Sequence, residues 1–258
     1  MALDLMDKSL LIGNNHIRLD YVNSTNKYAV EMVAKSNPIE GTVISASYQY
    51  EGRGQIGRYW ESAPGSNITC STILRPSFLD AGDQFHLNVA VSLAVHDFVD
   101  HFLQHPNIKI KWPNDIYVDD MKIAGILVQN SLMGKTISSS IVGTGININQ
   151  IIFSSDIPNA TSFSLVNEGR YSLEELMPWL FRFITKRYLQ LKNNLIQEMK
   201  EEYLTSLYRR EEWALYNDEN KVQFEGKIIG VDALGRLQIK DRNQDVRTFA
   251  FREISYVI

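Results

Sequence analysis

The chain has 258 residues, 44% of them apolar and 22% charged, and its 26 basic and 30 acidic side chains give a formal net charge of −4. These proportions are typical of a globular protein with a sizeable core; they exclude a disordered chain and argue against a general nucleic-acid binder. No run of about 18 apolar residues predicts a membrane span, and a single cysteine excludes both an internal disulfide and a Cys-based zinc cage.

Two features predict a cytoplasmic protein. Cys70 is the only thiol, which fits a reducing compartment. Asp4 and Asp7 stand where a secretory signal peptide has basic residues, so no such peptide is expected. At roughly 100–200 residues per domain, the length predicts one large domain, alone or with a small one.

The first elements along the chain alternate between helix and strand. Ser24 is a favourable N-cap for a helix that runs to about Lys35. Residues 42–50 and 68–74 are rich in β-formers and predict two strands. Residues 84–103 carry a wide apolar stripe at helical spacing, which predicts a buried helix.

Three short strand candidates follow this helix, at residues 116–118, 123–129 and 136–142. Asp119 and Asp120 form a turn signal between the first two. Such short links predict antiparallel hairpins rather than repeated βαβ units.

The last third predicts a helical region and then a small β-domain. Ser172 and Glu175 form a capping box for helical sequence that reaches about Tyr208. Pro178 lies inside it, so the helix either starts later or kinks. After Trp213 the sequence changes to short alternating stretches separated by turn signals.

These elements predict an α+β protein with a mixed, largely antiparallel sheet and helices. The domain boundary is expected near residue 212, with a catalytic or binding domain over residues 1–212 and a small β-barrel over 213–258.

The first chemistry-bearing stretch is glycine-rich, and residues 52–57 match G-x-G-x-x-G. A dinucleotide-binding loop must open directly into a helix, whereas here Pro64 and Gly65 predict a turn. We interpret the stretch as a mobile loop whose Arg53 and Arg58 can bind carboxylate or phosphate; a solvated hairpin loop is the alternative.

The second stretch is Lys-Trp-Pro-Asn-Asp at residues 111–115, followed closely by Lys122. Its lysines could pair with an anion and Asp115 could hold Mg²⁺, while a surface β-turn is the alternative. The third stretch, residues 143–149, places two glycines before Asn147. It could approach a nucleotide closely, and a strand with a bulge at the glycines is the alternative.

A further spacing could bind a metal. Asp97, His101 and His105 are spaced by four residues on the predicted helix, as zinc ligands can be. Because the apolar stripe lies opposite, we expect them to form the solvated face of that helix.

Taken in order, GRGQIGRYW, KWPNDIYVDDMKIAGIL and GTGININ resemble the biotin–protein ligase family. The Ser-Thr-Asn at residues 24–26 and the Ala-Thr-Ser at 160–162 are similar to further family motifs. The resemblance covers about residues 20–165 and implies a class II synthetase-like catalytic domain, with an SH3-like barrel at the C-terminal end.

The family's reaction joins biotin to ATP as biotinyl-5′-AMP and then transfers biotin to a lysine of a biotin carboxyl carrier protein or domain. The resemblance implies that Lys122 and Arg53 are catalytic. It implies biotin contacts from Ser24, Thr25, Asn26, Gln49, Arg53, Gly54, Gln55, Lys122 and Gly125. It implies contacts to ATP and the adenylate from Arg58, Trp60, Lys111, Asn114, Asp115, Asn147 and Ala160, with Asp115 also at Mg²⁺.

The sequence departs from the family pattern at two places. Gln55 stands where the GRGRxGR pattern often has arginine, so we hypothesise weaker retention of the acyl-adenylate. The Ser24 motif begins almost at once, so we expect the form without an N-terminal DNA-binding domain and no nucleic-acid partner.

Three other interpretations stay open at this level. A nucleotide-dependent oxidoreductase would rest on the glycine pattern alone, and a non-enzymatic adaptor would use the C-terminal barrel. A lipoate ligase shares the chemistry, but the residue patterns favour biotin. An exposed β-edge could support a homodimer or dock the carrier domain.

Overall fold

A computed structural model of the protein describes residues 11–54 and 59–257, in which two sheets and several helices are arranged around a common core. A seven-stranded mixed sheet occupies most of the chain, and a five-stranded antiparallel sheet forms its C-terminal part. The predicted α+β class with a largely antiparallel sheet is therefore confirmed.

The helices and strands are named here in chain order. They are β1 (His16–Val22), α1 (Thr25–Lys35), β2 (Val43–Gln49), β3 (Ile68–Leu74), α2 (Gln84–Leu103), β4 (Ile108–Lys111), β5 (Asp115–Val118), β6 (Met121–Met133), β7 (Thr136–Ile146), α3 (Phe163–Asn167), α4 (Leu173–Lys192), α5 (Ile196–Thr205), β8 (Trp213–Asp218), β9 (Gln223–Val231), β10 (Leu237–Asp241), β11 (Val246–Phe249) and β12 (Ile254–Tyr256).

The large sheet has the strand order β1-β2-β3-β7-β6-β5-β4. Only β1 and β2 are parallel, and β4 to β7 form the antiparallel hairpins that the short links predict. Strands β1 and β4 were not predicted. β1 alternates weakly and exposes Arg18, Asp20 and Tyr21, and β4 has only four residues.

The two faces of the large sheet differ. One face packs on α2, where Leu87, Val91 and Phe98 are fully or nearly fully buried, as the wide apolar stripe predicts. The other face carries α1, whose Ala29 packs with Ile44 of β2. Beyond α1 this second face is open, and the candidate site lies there.

The helical region after residue 172 is two helices. The Ser172 hydroxyl accepts a hydrogen bond from the Glu175 amide at 3.3 Å, and α4 begins at the next residue, as the capping box predicts. The alternative of a later start is wrong, because Pro178 lies inside α4. The helical conformation is interrupted at Asn194, whose φ of 62° is left-handed, and α5 follows.

The spacing of Asp97, His101 and His105 does not make a metal site, and the predicted solvated face is only partly present. The Asp97 carboxylate is paired bidentately with the buried Arg187 of α4, at 2.8 and 3.0 Å. His101 stacks on Trp179 instead. Among the described residues, no group of three metal-ligating side chains was found. The α4 helix covers this face only in part: Asp97 and His105 are half-buried, whereas His101 stays exposed.

The C-terminal strands have the order β11-β10-β9-β8-β12, with all pairs antiparallel. This is the small β-domain that the alternating stretches predict, with turns at residues 233–235 and 242–244. Its buried residues Tyr216, Ile228 and Leu237 belong to the same core cluster as α2. The boundary at residue 212 and the closure of the strands into a barrel stay predictions.

None of the helices in the described parts of the chain combines the length and apolar character that crossing a membrane requires.

The Arg187 network ties three helices together and gives a stability prediction. Arg187 pairs with Asp97 of α2 and with Glu202 of α5, the latter at 2.5 Å. Arg187→Met is expected to lower the free energy of unfolding at pH 7 by about 3 kcal/mol, because it leaves the Asp97 carboxylate without its partner. Urea denaturation measures this, with the exposed Arg182→Met on the same helix as a control within about 1 kcal/mol.

The loss of stability in Arg187→Met is expected to depend on pH. Burial alone would raise the pKa of Asp97, but hydrogen bonds from His96 and Arg187 outweigh it and hold that pKa below its ordinary value. The stabilisation is therefore present above the unfolded pKa of about 3.9 and lost as pH falls through the folded pKa. The difference between wild type and Arg187→Met should shrink below about pH 4; a constant difference would contradict the assignment.

Candidate active site

A cavity of about 1020 Å³ opens on the free face of the large sheet. Small-molecule pockets span roughly 300–1000 Å³, so this one has room for more than one small ligand. Its lining comes from the start of α1, from the glycine-rich segment, from β5 to β7, from residues 153–160 and from the C-terminal sheet. It therefore collects all three chemistry-bearing stretches of the sequence.

Glycines form the floor of the cavity. Gly125 and Gly145 face each other on β6 and β7, and the Trp60 indole lies against both. A Cβ on Gly145 would stand 2.4 Å from Trp60 Cε2, and one on Gly143 would stand 2.3 Å from Asn26 Oδ1. Only hydrogen-sized side chains leave room for these neighbours.

The alternative interpretation, a bulge at the glycines of β7, is wrong. Gly143 and Gly145 pair in regular register with Leu127 and Gly125, and the only shift between β6 and β7 lies at Ser131. The glycines allow close approach, as the nucleotide interpretation proposed. The groups beside them, however, are the Asn26 and Trp60 side chains of this protein.

One end of the cavity is a dense polar network. The Gln49 amide oxygen accepts hydrogen bonds from the Thr25 amide at 2.7 Å and from the Thr25 hydroxyl at 3.0 Å. The Ser71 hydroxyl lies 2.8 Å from Thr25 Oγ1 and donates to Asn26 Oδ1 at 2.5 Å. Asn26 Nδ2 donates to Gln129 at 3.2 Å. Ser24, Thr25 and Asn26 are all buried.

The glycine-rich segment closes on itself at its two ends. Arg53 bridges to Tyr59, and the Trp60 amide donates to the Gly52 carbonyl at 2.9 Å. A Cβ on Gly52 would lie 2.3 Å from the Trp60 carbonyl oxygen, so this approach requires glycine. Arg53 and Gly54 line the cavity. Gln55 and Arg58 lie outside the described residues, so their predicted roles are not tested.

Lys122 sits at the centre of the cavity wall. Its ammonium pairs with the Asp115 carboxylate at 2.8 Å and lies 5.8 Å from the Trp60 ring centroid. Its amide donates to the Asn159 carbonyl at 2.6 Å, and its carbonyl accepts from the Thr161 amide at 2.9 Å. These backbone bonds place Ala160 beside Lys122.

Lys111 lies along the same wall. Its ammonium donates to the Tyr117 hydroxyl at 3.0 Å. Asn114 follows in the turn and is buried, and its amide donates to the Ile126 carbonyl at 2.9 Å. Asn114 therefore fixes the turn between β4 and β5 against β6, whatever it also offers to a ligand.

Four buried polar atoms of lining residues have no hydrogen-bond partner among the described residues. They are Trp60 Nε1, Thr144 Oγ1, Asn147 Oδ1 and the Tyr256 hydroxyl. Asn147 uses its Nδ2 to donate to the Thr161 carbonyl at 2.9 Å, which leaves the oxygen as an acceptor. A buried polar atom without a partner is costly, so a ligand in the cavity can satisfy atoms such as Trp60 Nε1 and Asn147 Oδ1.

The charge of the cavity differs from that of the whole chain. Its described lining has four cationic side chains and three acidic ones, although the chain as a whole has a net charge of −4. The cations are Arg53, Lys111, Lys122 and Arg252. This clustering favours an anionic ligand.

The lining also suits a magnesium ion bound through a ligand. Asp115 offers a single carboxylate, and the described residues hold no cluster of three metal-ligating side chains. Mg²⁺ often takes one or two carboxylates together with substrate phosphates, so Asp115 fits such an ion only with a phosphate ligand present.

Several lining or network residues were not predicted. Ser71 and Gln129 complete the polar network, and Tyr117, Asn159 and Tyr256 surround the lysines. Ser71 and Gln129 lie on strands whose side chains alternate, so the face they share with the cavity could have been inferred once β3 and β6 were paired. No local motif marks Tyr256.

Comparisons with known proteins agree with this geometry. Residues 19–147 match the model of the biotin/lipoate A/B protein ligase family. The chain is 31% identical over 242 residues to the bifunctional ligase/repressor BirA of Bacillus spizizenii, which covers 90% of this chain and 71% of that relative.

A second relative and a solved structure are also similar. The biotin–[acetyl-CoA-carboxylase] ligase of Mycobacterium tuberculosis is 29% identical over 194 residues, or 73% of this chain and 71% of that relative. The biotin protein ligase from Aquifex aeolicus in complex with biotin and ATP has a TM-score of 0.78 and 25% identity, over 94% of this chain and 98% of that one.

The glycine floor gives a prediction with an internal control. Gly145→Ala is expected to lower the free energy of unfolding by about 1–3 kcal/mol, because the new methyl group overlaps the Trp60 indole. At Gly82 an added Cβ meets no heavy atom within 4 Å, so Gly82→Ala should be far less harmful. Urea denaturation followed by circular dichroism measures both, and equal stability of the two variants would show that Trp60 does not lie on this floor.

Proposed function

The chain belongs to the biotin/lipoate A/B protein ligase family, and from that premise we propose that it is a biotin–protein ligase. It activates biotin with ATP to give biotinyl-5′-AMP and pyrophosphate, and it transfers biotin to a lysine of a biotin carboxyl carrier protein or domain. The observation that carries the proposal is one cavity in which a neutral polar network and a cluster of cations lie side by side.

The polar network suits the ureido ring of biotin, which offers one carbonyl oxygen and two N–H groups. Gln49 has its amide oxygen occupied by Thr25, so its Nε2 is the group that it offers as a donor. The hydroxyl groups of Ser24 and Thr25, which line the cavity, can serve as donors or acceptors. A site built from paired polar groups rejects a ligand that cannot satisfy them.

The first step joins two anions, so charge neutralisation and positioning are the main tasks. A biotin carboxylate oxygen attacks the α-phosphorus of ATP, the bond to the bridging oxygen breaks, and pyrophosphate leaves. Lys122 and Arg53 are two of the cations in the lining, and both would bind the carboxylate and then the acyl phosphate. The Asp115 carboxylate pairs with the Lys122 ammonium at 2.8 Å.

The second step is an acyl transfer. The amine of the carrier lysine attacks the acyl carbon, the bond to the phosphate oxygen breaks, AMP leaves, and the amine loses its proton. Lys122 and Arg53 would stabilise the negative charge that develops on the acyl oxygen.

No protein nucleophile is needed in either step. Cys70 lines the cavity, but burial raises the pKa of its thiol to about 12, so it stays protonated and unreactive.

The nucleotide would occupy the end of the cavity with Trp60, Lys111, Asn114, Asn147 and Ala160. The Trp60 indole offers an N–H, and Asn147 offers the oxygen that no described group uses. Asp115 would hold Mg²⁺ together with phosphate oxygens, and the ion would neutralise phosphate charge. Arg58 and Gln55 remain predicted ligands.

An exposed strand edge could dock the carrier domain or support a homodimer. Strand β6 continues beyond its last pair with β5 at Gly125, so on that side its second half has no strand partner among the described residues. We propose this edge as the docking strand, because an extended segment can add to it. The cytoplasmic location and the lack of nucleic-acid binding stay predictions.

Biotin-dependent exchange of pyrophosphate into ATP tests the proposed function. Lys122→Ala and Arg53→Ala are each expected to reduce the exchange rate at least a hundredfold, because removing one preorganised charge costs about 10²–10³ in rate. Lys35→Ala is the control, since Lys35 is exposed and lies outside the cavity lining. Near-normal exchange in both cavity variants would show that the reaction takes place elsewhere.

A further inference from the structure

Lys111 is held between two tyrosine rings that come from different sheets. Its ammonium lies 4.7 Å from the ring centroid of Tyr117 on β5 and 4.8 Å from that of Tyr256 on β12. A cation is attracted to an aromatic face within about 6 Å. The two rings therefore restrict a flexible side chain to one place on the cavity wall.

Tyr117 belongs to the large sheet, and hydrogen bonds fix its position. Its hydroxyl oxygen accepts hydrogen bonds from the Lys111 ammonium and from Asn159 Nδ2, each at 3.0 Å. Tyr117 as a whole is only 3% exposed. Tyr117, one of the two rings that hold Lys111, is thus part of the same cavity wall as Lys122.

Tyr256 is the second ring beside Lys111, and it belongs to the C-terminal sheet. Its ring lies 5.2 Å from that of Tyr216 and 6.0 Å from that of Tyr208, and it lines the cavity. Its hydroxyl is buried with no hydrogen-bond partner among the described residues. The ring face, rather than the hydroxyl, is what this position presents to Lys111.

The C-terminal sheet is seated firmly next to Lys111. The Trp112 indole donates to the Gly235 carbonyl at 3.0 Å across the two sheets. Gly235 has a φ of 83°, and a Cβ there would stand 2.3 Å from the Phe85 ring of α2. This close packing lets Tyr256 keep a defined position over Lys111.

We propose that Tyr256 is a positioning residue for the nucleotide. It holds the Lys111 ammonium against Tyr117 so that the charge meets the phosphates of ATP, and in this way the C-terminal sheet contributes to ATP binding. The inference rests on the proposed function, which supplies ATP as the ligand. Tyr256 lies outside residues 19–147, the part that matches the family model.

Kinetics of biotin-dependent pyrophosphate exchange test this. Tyr256→Leu is expected to raise the KM for ATP about fivefold, with kcat and the KM for biotin changed less than about twofold. Tyr256→Phe keeps the ring and should restore the KM for ATP. Because Tyr256 acts through Lys111, the double variant Lys111→Ala/Tyr256→Leu should have the KM for ATP of Lys111→Ala alone.

Two results would overturn the proposal: an unchanged KM for ATP in Tyr256→Leu, or effects of the two substitutions that multiply. If Tyr256→Leu does not fold, pentafluorophenylalanine in place of Tyr256 keeps the ring's shape and removes its negative face, and it should raise the KM for ATP likewise. Wild-type protein without exchange would contradict the proposed function instead. Calorimetric titration with ATP would then test the role of Tyr256. Weaker ATP binding by Tyr256→Leu than by wild type is expected, and equal binding would overturn the proposal.

Discussion

The contact between the Trp60 indole and the Gly125–Gly145 pair is the constraint on which the site depends. The indole can lie against the sheet only because neither glycine carries a side chain, and a Cβ on Gly145 would stand 2.4 Å from it. Through its amide, Trp60 also closes the glycine-rich segment on Gly52, and its ring lies 5.8 Å from the Lys122 ammonium. One contact thus connects the floor of the cavity, the arginine-bearing loop and the central lysine.

Electrostatics then give the cavity its chemical character. The chain is acidic overall, yet four cations face this cavity, and Lys122 is held ready by Asp115 at 2.8 Å. Such an arrangement costs stability when empty and favours the state in which an anionic ligand is bound. The neutral network of Thr25, Gln49 and Ser71 lies beside these charges, so a neutral head group and an anionic centre can be bound at once.

Local pattern was enough for much of the fold and for the order of the motifs. The bounds of α2 could be predicted from its wide apolar stripe at helical spacing, and those of β3 from its run of β-formers. Strand β1 could not, since its exposed Arg18, Asp20 and Tyr21 weaken the alternation. The solvated face expected for Asp97 failed because its partner, Arg187, lies 90 residues away.

The site was predictable only where a motif carried it. Lys122, Asp115 and Asn26 could be found because they lie in recognisable stretches. Ser71 and Tyr256 could not, because only the pairing of distant strands brings Ser71 to the polar network and Tyr256 to the cavity. The same limit applies to Asn114: the motif marked it, but only the tertiary structure shows that it ties a turn to β6.

Calorimetric titration with biotin and with lipoate tests the central claim most directly, that the polar network beside the glycine floor recognises a ureido ring. Wild-type protein should bind biotin with a saturating 1:1 isotherm and should not bind lipoate, which has no ureido group. Gly143→Ala, whose methyl group would stand 2.3 Å from Asn26 Oδ1, should weaken biotin binding at least tenfold. Binding of lipoate, or biotin binding that Gly143→Ala leaves unchanged, would contradict the account.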